Sequence, residues 1–522
     1  TAARAAAQAA LDLVTDRPLP WLSYQAWRLL GDLARDAGDR VAALAAFLES
    51  IANLERVQGR ILTEYRASFL ADKADVYEAA VDLLLQQDDV EAAFGLAERA
   101  KSRALVDALA GGLDIRVRGA TPEQARLADE LSRLRHEHDS LAEQTEASPE
   151  LRQLEQRISQ LLEELRLAGA DDLERLSLIQ GRVYSPQAYL DPATCVVEFF
   201  LIGTDLVVFV VDRRSIRVKR VPAALADLTR FDTSLQHNLR AAASAPAHRA
   251  ALEPNARTVL GRLHDVLLGP VANWLSAYQR LVIVPHGLLH RVPFAALHDG
   301  HAYLVERFEL AVAPSASSLT FCLRPRARNG QRALVGANSA DGALPGAIEE
   351  ATAVARLYET DSLSEGELTL ANLSKRAREA DLIHLAAHGV SRTDAPLFSY
   401  LRLADGHLTA LDCFDLELDC ALVTLSACES GRGTVAPGDE QIGLARAFLY
   451  AGARAVLHSL WRIDDRVTRQ LMIDFYSGLH AGLGRGAALR QAQLACLRSE
   501  GTHPFVWAAF VLVGDWRKEE TS

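Results

Sequence analysis

The sequence predicts an α/β chain with a parallel-dominated sheet flanked by helices, preceded by an all-α region of short helical repeats and a long helical hairpin. Three observations predict it. Up to about Leu109 the chain is rich in Ala, Leu and charged residues at helical spacing. From Thr121 to Leu176 it is strongly charged and leucine-periodic. At about Tyr184 the period changes to short apolar runs, many of them β-branched, that alternate with helical stretches, as strands buried on both faces of a sheet do. The implied boundaries are residues 1–112 for the repeats, 113–183 for the hairpin, and 184–330 and 331–522 for two halves of the α/β region.

Composition narrows the function. A chain of 522 residues with 49% hydrophobic side chains can build two or three domain cores. Its formal net charge of −12, without a cluster of Lys and Arg, argues against nucleic acid and anionic membranes as partners. The basic piece Arg324-Pro-Arg-Ala-Arg328 reads as a solvated loop. Six cysteines, none spaced as a paired framework, suit a reducing compartment, so a cytoplasmic location is expected. Cys413, Cys420 and His407 lie near one another in sequence but lack the CxxC form of a zinc site. No run of about 18 apolar residues could span a bilayer. The start, Thr1-Ala-Ala-Arg-Ala-Ala-Ala-Gln, has no signal-peptide core, and the absence of an initial Met reads as a fragment of a longer protein.

Trp27, Leu30, Gly31, Ala34, Ala43, Phe47 and Ser50 follow the spacing of one tetratricopeptide repeat, whose small residues let two antiparallel helices approach. Tyr77, Ala80, Leu84, Ala93, Ala97 and Ala100 form a weaker second copy with Asp88-Asp89 as its turn. A generic helical bundle is the alternative; either surface would bind protein rather than catalyse. In the hairpin, Ala147-Ser-Pro-Glu150 interrupts the helix because proline lacks the amide donor. Each arm is only a few heptads long, so its apolar stripe is expected to seal against a neighbouring domain rather than to dimerise.

In the α/β region, Cys195–Ile202, Leu206–Asp212 and Ser215–Val221 read as successive strands joined by Gly203-Thr and Arg213-Arg turns. Helices are expected over 225–243 and 256–277, then a buried strand over Arg280–Pro285 followed by His286-Gly287. The second half opens with a strand at Ala333, helices over 348–358 and 373–380, and then two apolar runs that carry the chemistry. Asp381-Leu-Ile-His-Leu-Ala-Ala-His388-Gly389 and Ala421-Leu-Val-Thr-Leu-Ser-Ala-Cys428-Glu-Ser-Gly431 each end in a reactive residue with glycine close behind. Ligands bind at the carboxyl ends of parallel strands, which would bring His388 and Cys428 to one edge. Taken singly, each would be core filler. Together they read as a cysteine nucleophile with its base, since a thiol of pKa about 8.5 needs a neighbouring imidazole to ionise at neutral pH. The amides of Gly389 and Cys428 could form an oxyanion hole. His384 lies mid-strand and reads as a core residue.

These residues resemble the CHAT family, caspase-like proteases usually joined to tetratricopeptide repeats and related to separase. The resemblance rests on His384-Leu-Ala-Ala-His388-Gly389, Leu425-Ser-Ala-Cys428-Glu-Ser-Gly431, Gly443–Val456, Ser459-Leu-Trp461-Arg-Ile-Asp464-Asp465 and, upstream, Val284–Phe294, within about Tyr184–Trp516. It implies a caspase-like fold and a Cys-His peptidase with Cys428 as nucleophile and His388 as general base. It also implies an inactive-looking first half that buttresses an active second half, the other reading of Pro285-His-Gly being a simple turn. Caspases carry glutamine two residues before the cysteine; Ser426 stands there in this chain, which argues against cleavage after aspartate.

After Cys428 comes Gly433-Thr-Val-Ala-Pro-Gly438-Asp-Glu440, expected as a flexible gating loop, then a helix over 441–451 and a strand over 455–461 beside the cysteine strand. Asp464 and Asp465 should then project near the pocket and pair with a substrate guanidinium or ammonium, so cleavage after Arg or Lys is predicted. The alternative is that one of the pair caps the helix over 466–479, with Asp439 and Glu440 as rival pocket acids. The run Phe505–Gly514 is expected to close the sheet with a last strand, Trp507 anchoring the core.

The combined expectation is a cysteine endopeptidase acting on a protein substrate and gated by a protein regulator on the helical repeats, with no metal or organic cofactor required. The alternative is a catalytically silent scaffold that binds protein partners; a further rival uses the same dyad for acyl transfer to small molecules.

Overall fold

Residues 2–14, 19–58, 74–101, 122–142, 148–168, 184–325, 332–340, 342, 344–392, 395–426, 434–436, 440–499, 501 and 503–518 are described by a computed structural model. The Ala-rich start forms helices α1 (Ala2–Leu13), α2 (Pro20–Asp36), α3 (Arg40–Gln58), α4 (Ala74–Gln86) and α5 (Val90–Ala100). They pack as the pairs α2 on α3 and α4 on α5, with α3 against α4. Glycine at position 31 permits the first pairing, because a Cβ there would lie 2.5 Å from the Phe47 ring. At the second turn Asp88 adopts φ 59°, which a short polar side chain tolerates, and Asp89 caps α5 by accepting the Ala92 amide at 3.0 Å.

Helices α6 (Pro122–Ala142) and α7 (Pro149–Ala168) form the expected hairpin, with Ser148 capping α7 through the Leu151 amide at 3.0 Å. Its stripe Leu127, Leu131, Leu134, Ile158 and Leu161 is buried against Ala395, Leu397, Phe398 and Leu411 of the second half. The stripe is therefore a seam against a neighbour, the role its short heptad run predicted.

The α/β region follows as β1 (Thr194–Ile202), β2 (Asp205–Val211), β3 (Ile216–Val221), α8 (Ala224–Ser244), α9 (Arg249–Leu267), β4 (Arg280–Val284), β5 (Glu309–Val312) and α10 (Ala316–Cys322). The second half contributes β6 (Ala333–Ala337), α11 (Pro345–Leu357), β7 (Ser362–Ser364), α12 (Leu370–Ala377), β8 (Leu382–Ala386), β9 (Gly389–Val390), β10 (Tyr400–Leu403), β11 (Gly406–Thr409) and β12 (Leu422–Leu425). It ends with β13 (Thr434–Ala436), β14 (Glu440–Ile442), α13 (Leu444–Ala451), β15 (Ala455–Ser459), α14 (Asp465–His480), α15 (Arg485–Ser499) and β16 (Phe510–Gly514).

Eleven of these strands form one sheet in the order β3-β2-β1-β4-β5-β16-β15-β12-β8-β6-β7. The β1–β2–β3 meander is antiparallel, and every other pairing is parallel except β15 with β16. The parallel strands are apolar on both faces because helices cover both sides.

Four local expectations change. The run 505–514 is not one strand: Pro504–Trp507 makes a helical turn capped by His503, and β16 then enters mid-sheet between β5 and β15, joining the two halves. Proline at 504 starts the turn because its missing N–H is unneeded there. The Gly433–Glu440 stretch is not simply a loop, since Thr434 pairs with Ile442 in a hairpin resting on the turn Gly287–Arg291. That strand takes residues 440–442, so the following helix begins at Leu444 rather than Gln441. The helix expected over 256–277 runs from Arg249 to Leu267 and stops before Gly269-Pro270.

The helical repeats are fastened to the first half by buried charge. Lys101, just beyond α5, is fully buried, donates to the carbonyls of Phe199 and Pro285, and lies 3.4 Å from the Glu198 carboxylate. Glu98 accepts the amides of Ala316 and Ser317 at the start of α10. Burial, reinforced by nearby Glu98, pushes the Glu198 carboxyl well above its usual range.

Candidate active site

Strands β8 and β12 are parallel neighbours in which Leu382, Ile383, His384 and Leu385 pair with Leu422, Val423, Thr424 and Leu425. Ala386–His388 and Ser426 follow the last registered pair, so the described chain leaves both strands at the same edge, and in sequence His388 and Cys428 each come three residues after that pair. His388 is half-buried, and its carbonyl accepts the Arg402 amide at 2.8 Å. Gly389 is paired with Leu401 in the small sheet β11-β10-β9. Cys428 lies outside the described residues, two positions beyond Ser426.

A cavity of about 440 Å³, mouth included, opens at this edge. Ala387 beyond β8, Ser426 beyond β12, Ser459 at the end of β15 and Phe510 at the start of β16 form its floor, and α11 and α14 form its walls. The helices approach closely at Gly346, where a Cβ would lie 2.5 Å from that of Asp465.

Asp465 and Glu350 both line the cavity. Asp465 is half-buried, and among the described residues no cation is bonded to its carboxylate. Asp464, by contrast, is exposed and caps α14, accepting the Arg466 amide at 3.0 Å. Glu440 lies in β14, and Asp439 lies outside the described residues. Arg462, the basic residue of the cavity wall, is exposed.

Glu350 was not singled out by the sequence reading. It falls in the stripe Ala347, Glu350, Ala351, Val354, and an acid at that helical spacing among apolar residues was the available signal. Only 3% exposed, its Oε1 lies 3.2 Å from His384 Nε2, within ion-pair range but without the alignment of a hydrogen bond. His384 is a buried mid-strand residue, as expected, and its Nδ1 is 3.2 Å from the Tyr476 hydroxyl, which donates to Thr424 at 2.7 Å. Burial pushes the Tyr476 phenol well above its ordinary value, keeping this support for the cavity floor neutral at that position.

The other five cysteines, Cys195, Cys322, Cys413, Cys420 and Cys496, are all buried. Burial raises the thiols of Cys195 and Cys413 and pushes that of Cys322 up to about 12, which disfavours the thiolate a nucleophile requires. In the first half β4 and β5 are likewise parallel neighbours, but His286 Nδ1 accepts the Leu201 amide at 2.8 Å and its ring lies on Phe200. That histidine has a structural turn to hold.

Residues 257–515 match the CHAT domain family. Tetratricopeptide repeat protein 28 of Homo sapiens is 28% identical over 325 residues, covering 50% of this chain and 13% of that protein. Its Mus musculus counterpart matches to the same extent, so this chain spans a small part of either relative. Among solved structures, separase in the Saccharomyces cerevisiae separase–securin complex superposes with a TM-score of 0.52 at 12% identity, covering 91% of this chain and 37% of that one. The mostly parallel sheet with flanking helices is thus a caspase-like fold behind an all-helical N-terminal region. Among the described residues no helix is long and apolar enough to cross a membrane. Through the CHAT domain at residues 257–515, the chain belongs to the CHAT domain family.

Proposed function

We propose that the chain is a cysteine endopeptidase that cleaves a protein substrate after Arg or Lys, with Cys428 as nucleophile and His388 as its base. The observation that carries this reading is the acid-lined cavity at the shared exit of β8 and β12. The Cys428 sulfur attacks the peptide carbonyl carbon while His388 takes the thiol proton, and the amides of Gly389 and Cys428 hold the oxyanion. The C–N bond breaks as the imidazolium gives its proton to the leaving nitrogen. Water deprotonated by His388 then releases the acid and restores the thiol.

Asp465 supplies the basic preference, with Glu350 behind it. A guanidinium about 4 Å from a carboxylate gains about 4 kcal/mol at an effective dielectric near 20, before desolvation is subtracted. Asp465→Asn is therefore expected to lower kcat/KM for arginyl peptides about 10²-fold, a loss of about 2.7 kcal/mol. Asp464→Ala is expected to leave the preference intact and to cost about 1 kcal/mol of stability through the lost cap. A fluorogenic peptide series with Arg, Lys, Ala and Asp before the scissile bond checks both.

The decisive test is covalent labelling by a peptide carrying a thiol-reactive group after Arg. Labelling of the parent chain and none of Cys428→Ala supports the peptidase. An unlabelled parent chain refutes it and favours a scaffold, a reading that the resemblance to tetratricopeptide repeat protein 28 also supports. On either reading the helices α2–α5 receive a protein partner.

A further inference from the structure

We propose that the α6–α7 hairpin holds the His388 segment in its working position through one ion pair, Glu155 with Arg392, and so governs the rate of the reaction proposed above. This rests on the Cys-His reading for its consequence and on separate contacts for its geometry.

Beyond His388 the chain makes only the two-residue strand β9 before leaving the small sheet. Two residues paired on one side are too few to hold themselves, because short hairpins without a packed face are marginal in water. Support comes from the hairpin instead. Arg392, four residues past His388, donates from Nη1 to Glu155 Oε1 at 2.8 Å and from Nη2 to Oε2 at 3.1 Å. The two side chains are 14% and 5% exposed, so the pair is screened little by solvent. The Arg392 amide donates to Ser399 Oγ at 3.0 Å, tying the outgoing and returning strands of the excursion together.

Glu155 is itself held from behind. His138 Nε2 on α6 lies 3.4 Å from its Oε1, and the His138 ring rests on Phe398 with centroids 4.7 Å apart. Ala395, Leu397 and Phe398 are buried against the hairpin stripe, and Arg135 bridges to Asp412 and Asp415 beyond β11. Burial opposes ionisation of Glu155, but the hydrogen bonds from His138 and Arg392 outweigh it and bring the carboxyl below its usual range. A bidentate, largely buried guanidinium–carboxylate pair fixes orientation as well as distance, which a lysine or an amide does not reproduce. Any partner that shifts the hairpin thus shifts the segment carrying His388 and Gly389.

The test uses the full chain with Glu155→Gln, Arg392→Lys and the exchanged pair Glu155→Arg with Arg392→Glu. Amide hydrogen exchange over 388–403 is read together with kcat and KM for an arginyl peptide. Glu155→Gln is expected to speed exchange across 389–392 about 10-fold and to lower kcat about 10-fold with KM nearly unchanged, while exchange in β1–β3 stays constant. The exchanged pair should recover part of both effects. Unchanged exchange in Glu155→Gln overturns the clamp, and faster exchange with unchanged kcat overturns its control of the reaction. If the parent chain cleaves nothing, the peptidase reading and the rate effect fail together, and the exchange comparison still decides whether Glu155 holds the segment.

Discussion

His388→Asn is expected to reduce turnover of an arginyl peptide by about 10²–10⁴-fold, the range lost when a general base is removed. Position 388 sits three residues past Leu385 and directly after Ala387, which lines the acid-lined cavity, whereas His384 is buried one registered pair before the strand end. The two histidines should therefore fail differently. His384→Phe removes the partner of buried Glu350 and of the Tyr476 hydroxyl, and its first effect should be on stability, since a buried polar group left unmatched costs about 1–3 kcal/mol. His388→Asn should leave the unfolding midpoint nearly unchanged, because its side chain is half-exposed. Comparing turnover and urea unfolding for both variants separates the roles. Loss of turnover in His384→Phe at full stability, with His388→Asn still active, would reverse the assignment.

Lys101→Met should cost about 3–5 kcal/mol of unfolding free energy, because it leaves Glu198 buried without its cation. The penalty should depend on pH in a definite direction. In the folded chain the Glu198 carboxyl is raised well above its ordinary 4.5, first by burial and then by Glu98, with Lys101 pulling the other way. A carboxyl raised by folding binds its proton more tightly in the folded state, so its contribution favours the fold in acid. That contribution is lost as pH rises from the unfolded value toward the folded one. Removing Lys101 lifts the folded value further, so the deficit of Lys101→Met should grow as pH rises above the parent chain's own raised folded value. The double variant Lys101→Met with Glu198→Gln should remove most of this slope. Urea unfolding across that rise in pH reads the result, and a deficit independent of pH would mean that the carboxyl is not the responsible group.

Much of the fold was legible because its signals are local. Two-sided apolar runs such as Leu382–Ala386 and Leu422–Leu425 announce buried parallel strands, and helical spacing with Asp88-Asp89 announces a repeat turn. The expected neighbourhood of β12 and β15 also follows from chain order, since consecutive parallel strands with one helix between them tend to lie side by side. The end of the chain was misread for the same reason: Phe505–Gly514 is apolar enough for a strand throughout, and period alone does not reveal that His503-Pro504 starts a turn. Strand β14 was misread because a three-residue strand carries almost no periodic signal.

The candidate site divides along the same line. The reactive residue types, their glycine neighbours and their places after strands could be read in order, because strand ends are set by nearby residues. Glu350 could not be ranked above other acids until α11 and α14 were seen to close on one cavity. Between Asp464 and Asp465, one position of helix start sends the first to the cap and the second to the cavity wall. Hydrophobic period and composition were enough for the fold class, a mostly parallel sheet with flanking helices behind a helical region. That β16 enters the sheet between β5 and β15, that Lys101 anchors the repeats and that Glu155 reaches the His388 segment emerged with the folded chain. The physical reason is distance along the chain: those contacts join residues separated by about 100 to 240 positions, and nothing in a local window records which distant charge will answer a buried one.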